Sequence, residues 1–193
     1  MREDVRAAAA VLCLLALSGC GPAPAPVADP VLQAPEAEPP AVAALPPDSV
    51  VAGSFVVTAQ GERVGDVLHV HRLLVKRAGQ HQAVQQIEGL ETETPWPTSQ
   101  PGLEAPDMNF DGHPDLRLML FRAAGPNTPW RHWLYEPATE RFVASPALDE
   151  LSPTRFDSSH SWVVVDWRDG AARSGSDAYT WRDGQLQPAD LAR

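Results

Sequence analysis

The amino-acid sequence predicts an all-β domain made of antiparallel sheet and arranged as a propeller or a sandwich. From residue 49 onwards the apolar segments are short, rich in valine, leucine and tryptophan, and separated by turn residues. Two Asp-Gly pairs, at 169–170 and 183–184, are typical of tight hairpin turns, because both residue types tolerate positive φ. No long segment has the 3.6-residue periodicity of an amphipathic helix.

The first 19 residues have the parts of an export signal. Arg2 and Arg6 lead into an apolar run of 11 residues, 7–17, which is shorter than the about 20 residues that span a bilayer. The quartet Leu-Ser-Gly-Cys ending at Cys20 resembles the lipobox of bacterial lipoproteins, in which the cysteine is lipidated and the chain is cut before it. We expect lipidation of Cys20, with an ordinary secretory signal as the alternative. Gly21, where an aspartate would favour inner-membrane retention, favours an outer membrane lipoprotein facing the periplasm.

The next segment is a tether. Residues 21–48 contain nine prolines among many alanines and have too little apolar bulk to fold. We interpret 20–48 as the lipidated cysteine with a Pro/Ala-rich linker, and 49–193 as one domain large enough to bury a core. Because Cys13 lies in the signal and Cys20 would carry lipid, no disulfide is expected in the mature protein.

The charge bounds the partners. A formal net charge of −10 disfavours nucleic acid and anionic lipid headgroups and favours basic proteins. We therefore expect no nucleic-acid partner, and contact with a membrane only through the lipid anchor.

Eight segments are predicted to be strands from their apolar patterns. They are 54–58, 67–76, 82–89, 116–122, 130–135, 141–144, 161–168 and 178–182. The second and third are expected to form a hairpin around 78–80, and the two Asp-Gly pairs are expected to mark paired hairpin ends. A short helical turn is predicted at 146–151.

One loop has the pattern of a metal site. Oxygen side chains stand at positions 1, 3, 5 and 9, glycine at position 6, and a main-chain carbonyl would fill position 7. These residues are Asp107, Asn109, Asp111, Asp115, Gly112 and His113. Position 12 is Leu118 and a strand follows, unlike an EF-hand, and the pattern is similar to the calcium hairpins of FG-GAP and integrin-type β modules. We predict a structural Ca²⁺ that neutralises the crowded carboxylates, with a plain Asx-rich turn as the alternative.

Several strings between 106 and 186 resemble the C-terminal module of a family of periplasmic calcium-binding lipoproteins. The strings begin at Asn109, Trp133, Leu148, Arg155, Gly170 and Tyr179. Members of that family include lysozyme inhibitors, which serve as immunity proteins against peptidoglycan-hydrolase effectors delivered by bacterial-killing type IV secretion systems. The resemblance implies a protein that binds and inhibits a lysozyme-like hydrolase by occlusion.

Two loops, 125–131 and 168–175, are expected to enter the glycan cleft of such an enzyme. Their candidate partner-binding residues are Asn127, Thr128, Trp130, Arg131, Arg168, Gly170, Arg173 and Ser174. Trp96 and Trp130 are predicted to be exposed, since tryptophan and arginine at loop tips are common binding anchors, although a packing role for Trp130 stays open. Three other tryptophans lie among alternating apolar residues and are assigned to the core: Trp133, Trp167 and Trp181.

The sequence favours no enzyme. It has no Gly-x-Ser-x-Gly, phosphate-loop or dinucleotide motif, and its acidic pairs are interpreted as solvated faces. Three histidines have a spacing that could hold zinc, but no cysteine or carboxylate stands at ligand spacing, so we interpret them as surface or half-buried residues. They are His69, His71 and His81.

A second hypothesis belongs to another functional class. The protein would then be a non-catalytic envelope lipoprotein that binds glycan or another envelope protein through the same loops. Retention on purified peptidoglycan without any hydrolase would favour it, and a neighbouring gene for a secreted hydrolase would favour the inhibitor.

Overall fold

A computed structural model of the protein describes residues 48–95, 102–123 and 128–190. The predicted signal peptide, Cys20 and the linker up to residue 47 lie outside the described residues. Strands account for 60% of the described residues and helix for 5%. All pairs of these strands are antiparallel. The prediction of an all-β fold is confirmed.

The described residues form three four-stranded sheets and one short helix. In chain order the elements are β1 (Ser49–Ala52), β2 (Phe55–Val64), β3 (Val67–Arg77), β4 (Ala83–Pro95), β5 (Leu103–Glu104), β6 (Leu116–Met119), β7 (Trp130–Glu136), β8 (Arg141–Ala144), α1 (Pro146–Leu151), β9 (Arg155–Asp157), β10 (Trp162–Asp169), β11 (Arg173–Arg182) and β12 (Gln185–Pro188). The N-terminal sheet is ordered β1-β2-β3-β4, the middle sheet β5-β6-β7-β8 and the C-terminal sheet β12-β11-β10-β9. Each sheet is therefore a meander in which consecutive strands pair.

The N-terminal sheet shows how the apolar pattern sets burial. On β2 the inward side chains are Phe55, Val57 and Ala59, which alternate as a half-buried strand requires. On β3 the alternation slips by one residue between Val70 and Leu73, both of which are fully buried. A bulge at His71 absorbs the slip and leaves the His71 side chain exposed.

The middle sheet contributes to two hydrophobic cores. The first core lies against the N-terminal sheet and takes Leu116, Leu118, Trp133 and Phe142 from the middle sheet. The second core lies against α1 and the C-terminal sheet, and its buried members are Met108, Leu148 and Val163. Trp133 packs in the first core and Leu134 against the second, because successive side chains of β7 point to opposite faces.

Four strands were not predicted from the sequence, and each of them lies at the edge of a sheet. These are β1, β5, β9 and β12, which are two to four residues long. Alternation over two to four residues is weak evidence for a strand, and the extended conformation of these four segments is supported by the strand that pairs with each. The helix at 146–151 is found as predicted, whereas β6 ends at Met119 instead of Arg122. Among the described residues, no helix is long and apolar enough to cross a membrane.

A side-chain amide links the edge of the middle sheet to the N-terminal sheet. Gln85 Oε1 accepts from the backbone N–H of Phe142 at 2.9 Å, and Gln85 Nε2 donates to the Phe142 carbonyl at 2.8 Å. Strand β8, which contains Phe142, is an edge strand, so these groups face away from β7. Gln85 therefore takes the place of one residue of a neighbouring strand.

We expect Gln85→Ala to lower the free energy of unfolding by about 1–3 kcal/mol, because it leaves a part-buried N–H and C=O of Phe142 without their partner. Gln82→Ala, in an exposed turn, is the matched control and should change stability by less than about 0.5 kcal/mol. Urea denaturation measures both, and equal stabilities for the two variants would contradict this role of Gln85.

Candidate functional site

The predicted metal loop connects β5 to β6. A hydrogen bond of 2.8 Å from the Asp115 N–H to the Pro106 carbonyl closes its base. Gly112 adopts a φ of +86°, which is the bend expected of glycine at position 6. Phe110 also adopts positive φ, at +62°, which is rare for an aromatic residue and could not be read from the sequence.

The side chains at positions 1, 3 and 5 form one partly exposed cluster. Asp107 Oδ1 and Asn109 Oδ1 both accept from the Asp111 N–H at 3.2 Å. Asp107 Oδ2 accepts from the Gly112 N–H at 2.9 Å, and Asp111 Oδ1 accepts from the His113 N–H at 2.8 Å. Asn109 Nδ2 donates to Asp111 Oδ2 at 2.9 Å. Backbone N–H groups thus hold each oxygen-bearing side chain in place.

Asp115 ties this loop to the middle sheet. It is fully buried, and its Oδ2 and Oδ1 accept from the N–H groups of Met108 and Tyr135, each at 2.7 Å. Burial raises the pKa of Asp115 to about 6; the two N–H groups oppose the rise, and the charges of Asp111 and Asp107 add to it. The Asp115 carboxylate is therefore close enough to the other two for their repulsion to act on it.

The donors suit a hard divalent cation in kind and in order. Three carboxylates, one amide oxygen and one carbonyl are the oxygen ligands that calcium prefers. None of the ion pairs found in the described residues involves Asp107, Asp111 or Asp115, so no ion pair there offsets their repulsion.

The arrangement of the same residues limits how an ion would be held. Across 48–95, 102–123 and 128–190, no three His, Cys, Asp or Glu side chains are arranged to hold a metal ion. Asp115 turns both oxygens to backbone N–H groups. An ion here would therefore rest mainly on Asp107, Asn109, Asp111 and the His113 carbonyl, with Asp115 sharing its remaining lone pairs.

The loop is also attached to both cores. Met108 is fully buried in the second core, and its carbonyl accepts from Trp181 Nε1 at 2.9 Å. The His113 ring lies 5.5 Å from that of Tyr135, which packs against the first core. A ligand that orders the loop would therefore also stabilise the packing where the two cores meet.

Only residues 128–131 of the first predicted partner loop are described, and they are partly buried. Asn127 lies outside the described residues, as does Trp96. Thr128 is half-buried and Arg131 is exposed. Trp130 is only 8% exposed, so the prediction that it is exposed is wrong.

Trp130 is buried because it packs between sheets. It lies on β7 opposite Met119, and the Arg117 guanidinium stands 4.3 Å from the centroid of its ring. The same guanidinium is 5.4 Å from the ring of Phe156, on β9. Trp130 therefore has the packing role that the sequence left open.

The second predicted partner loop is the end of the β10–β11 hairpin. Arg168, Gly170, Arg173 and Ser174 are all exposed there. Arg168 is paired with Ser174 across the strands, Arg173 forms an ion pair with Asp169, and Gly170 has a φ of +68°. In the part of the chain that the structure describes, no hydrogen bond, ion pair or ring contact joins this end to Thr128, Trp130 or Arg131. The described residues of the two predicted loops are thus not joined by such contacts.

Trp167 corrects another prediction. It was assigned to the core, yet it is 38% exposed on the same hairpin, whereas Trp133 is buried and Trp181 partly buried. Its pairing partner is Gly175, which leaves room for the indole. A shallow depression of about 440 Å³ lies here, lined by Asp166, Trp167, Arg168, Ser174, Gly175 and Ser176.

The histidines do not form a site. His71 and His81 are exposed and His69 is half-buried. His132, which the sequence did not single out, is fully buried, and its Nδ1 lies 2.9 Å from Asp149 Oδ1 of α1. Burial lowers the pKa of His132, against the opposing effect of Asp149. This pair fixes α1 on the middle sheet.

Comparisons with known proteins give one weak likeness. No protein-family model matches the chain, and no curated protein sequence matches it. A solved structure of a Xanthomonas protein, described as related to a type IV secretion system, aligns with 73% of this chain and 91% of its own at 12% identity and a TM-score of 0.41. A likeness this weak carries no argument about fold or function.

Proposed function

We propose that the protein is an outer membrane lipoprotein, anchored through Cys20 and facing the periplasm, that binds and inhibits a lysozyme-like peptidoglycan hydrolase. It acts as an immunity protein against hydrolase effectors delivered by bacterial-killing type IV secretion systems. Inhibition is by occlusion of the glycan cleft, so it needs no catalytic group of its own.

The exposed end of the β10–β11 hairpin is the observation that carries this proposal. Four of the eight candidate partner-binding residues lie together there: Arg168, Gly170, Arg173 and Ser174. A narrow two-stranded end has the shape needed to enter an enzyme cleft, and arginine is enriched at the energetic centres of protein interfaces. This support comes from exposure and shape, together with the sequence resemblance over 106–186.

The net charge supports the same partner class. A chain with a formal charge of −10 attracts basic lysozyme-like enzymes and speeds their encounter. Salt screens this attraction over about 8–10 Å at physiological ionic strength. Association should therefore slow as salt is raised, while the dissociation rate changes less.

We further propose that loop 107–115 binds Ca²⁺ and that the ion is structural. The loop carboxylates take part in none of the ion pairs of the described residues, and bound calcium would supply the positive charge that offsets their repulsion. Asp107, Asn109 and Asp111 would hold it, and Asp115 would connect it to the middle sheet. The ion would thus stabilise the junction between the two cores.

The tether would raise the local concentration of the inhibitor. A lipid on Cys20 followed by the Pro/Ala-rich segment 21–48 would confine the domain near the membrane where incoming hydrolases arrive. Replacing Cys20 would then weaken protection of cells without changing inhibition in solution.

Charge reversal at the hairpin end tests the contact. We expect Arg168→Glu with Arg173→Glu to weaken inhibition of the target hydrolase at least tenfold, because both cations would be replaced by anions at the contact. Arg122→Glu with Arg141→Glu changes two other exposed arginines by the same charge and should have a much smaller effect. Equal losses in the two double variants would show that only net charge matters and would contradict the hairpin contact.

The second functional class is separated by a sedimentation assay. Domain 49–193 is mixed with purified peptidoglycan in the presence and absence of the hydrolase. The inhibitor proposal expects no retention on peptidoglycan alone, because the domain contacts the enzyme and occludes its glycan cleft. Retention on peptidoglycan alone would favour a glycan-binding envelope lipoprotein.

A further inference from the structure

We infer that Trp167 is the anchor of the hydrolase contact: its indole enters a sugar-ring subsite of the enzyme's glycan cleft, while Arg168 pairs with a carboxylate of that cleft. The inference rests on the proposed function and names the side chains that make the contact. The sequence had assigned Trp167 to the core and Trp130 to the contact, and the structure exchanges their environments.

The indole of Trp167 packs over Gly175. A Cβ added at Gly175 would lie 2.5 Å from Trp167 Cζ2 and 2.9 Å from Cε2, so the ring occupies the space that any other side chain at 175 would need. Gly175 does not have the positive φ of the turn glycines, and its backbone conformation does not require glycine. The glycine therefore serves the position of the ring, which is held against the strand and remains 38% exposed.

The position of Trp167 along the sheet explains why a core-like residue is exposed. Trp167 lies on the same face of β10 as Val163, which is fully buried in the second core. Val165, between them, is half-buried, so burial declines step by step towards the hairpin end. The hairpin thus carries the apolar face of the sheet beyond the edge of the core.

The same hairpin end lacks neighbouring strands. Strand β9 pairs with β10 only at 162–164, and β12 pairs with β11 only at 179–182. Among the described strands, none borders the segments 167–169 and 173–177 on their outer sides. The indole therefore stands on a ribbon that is two strands wide and accessible from both edges.

The chemistry of this ribbon fits a glycan cleft. Such clefts bind pyranose rings, which have apolar C–H faces and polar edges, and they carry a pair of carboxylates. The ribbon offers a flat indole on one face and hydroxyl groups of Ser174 and Ser176 on the other. A hydrophobic protein groove would fit less well, because the neighbours of Trp167 on its own face of the ribbon include Asp169, Arg173 and Asp177.

Arg168 supplies the charge complementarity. Arg173 is paired with Asp169, but in the part of the chain that the structure describes Arg168 has no ion pair or hydrogen bond from its side chain. An exposed, unpaired guanidinium on a chain of net charge −10 is suited to meet a carboxylate, which it can bind in bidentate geometry. A cleft lined by carboxylates is such a partner.

Two substitutions test the anchor by different routes. Trp167→Ala removes the ring. Gly175→Val keeps the ring but fills the space that the ring occupies, and valine is favourable in a strand. Both are measured as inhibition constants against the hydrolase that the unaltered domain 49–193 inhibits, with circular dichroism as the check on folding. We expect each to raise the constant at least tenfold, and Trp167→Phe to recover part of the loss. Phe121→Ala, at another exposed aromatic residue, should change it less than twofold.

The outcomes separate this inference from the proposed function. If the unaltered domain inhibits and Trp167→Ala inhibits equally well, the anchor is wrong and the proposed function stands. If the unaltered domain inhibits no hydrolase, both fail. If the domain is retained on peptidoglycan alone and Trp167→Ala abolishes that retention, the indole binds the glycan itself, which also overturns the inference.

Discussion

Replacing Asp115 with alanine is expected to destabilise the folded domain by about 3 kcal/mol, the largest loss that we expect from one substitution in the loop. The change removes the acceptor of two N–H groups, those of Met108 and Tyr135, which then have no partner in a buried place. Burial also penalises the Asp115 charge, so the loss is smaller than two charge-assisted hydrogen bonds would give on their own.

Urea denaturation in EDTA isolates this effect from calcium. Asp111→Asn is the matched control, because Asp111 is in the same loop but is exposed, and it should cost less than about 1 kcal/mol. Asp115→Asn keeps one acceptor oxygen and should fall between the two. A loss below about 1 kcal/mol for Asp115→Ala would show that the loop is not tied to the middle sheet through this carboxylate.

Calcium is expected to raise the thermal midpoint of the domain by about 8 °C at 1 mM over the midpoint in EDTA. For a site with a dissociation constant of about 10 μM, 1 mM calcium is about 100 times that constant and stabilises the protein by about 2.7 kcal/mol. For a domain of this size, 1 kcal/mol corresponds to roughly 2–4 °C. The expectation follows from the oxygen donors of Asp107, Asn109 and Asp111 and from the attachment of the loop to both cores.

The double variant Asp107→Asn with Asp111→Asn provides the control for calcium. It removes two charges and one acceptor oxygen at each position. Both side chains are partly or fully exposed and carboxylate repulsion falls, so the midpoint in EDTA should change little. Its response to calcium should be lost. Magnesium at the same concentration should shift the unaltered domain less, because it demands stricter geometry. A midpoint that is equal in calcium and EDTA would contradict the structural ion.

Most strands of the fold could be predicted from the sequence, but four short edge strands could not. The longer strands have alternation that survives in isolation, as Phe55, Val57 and Ala59 show on β2. Strand β5, by contrast, consists of two residues, Leu103 and Glu104, which are extended only because β6 pairs with them. The bulge at His71 could not be predicted either, because a bulge shifts the alternation of buried and exposed side chains by one residue and so interrupts the pattern that marks a strand.

One candidate site could be predicted from the sequence, whereas the exposure of the tryptophans could not. The loop 107–115 has its donors in consecutive positions, so local spacing predicted the bend at Gly112. The tryptophans were less readable, because the burial of a large side chain depends on what stands opposite it. Trp130 is covered by Arg117, whereas Trp167 lies on Gly175 beyond the core. The pairing of Trp167 with Gly175 could have indicated that the indole lies over the strand, but this pairing is known only once the register of β10 and β11 is known.

The most direct test of the account is a lytic assay with purified components. Domain 49–193, in calcium, is titrated against each lysozyme-like hydrolase that the same bacterium or its type IV secretion competitors deliver. The readout is the fall in turbidity of a peptidoglycan suspension. The account predicts that at least one enzyme is inhibited at a molar ratio near one to one, and that Arg168→Glu with Arg173→Glu relieves this inhibition. Full activity of every enzyme at a large excess of the domain would contradict it.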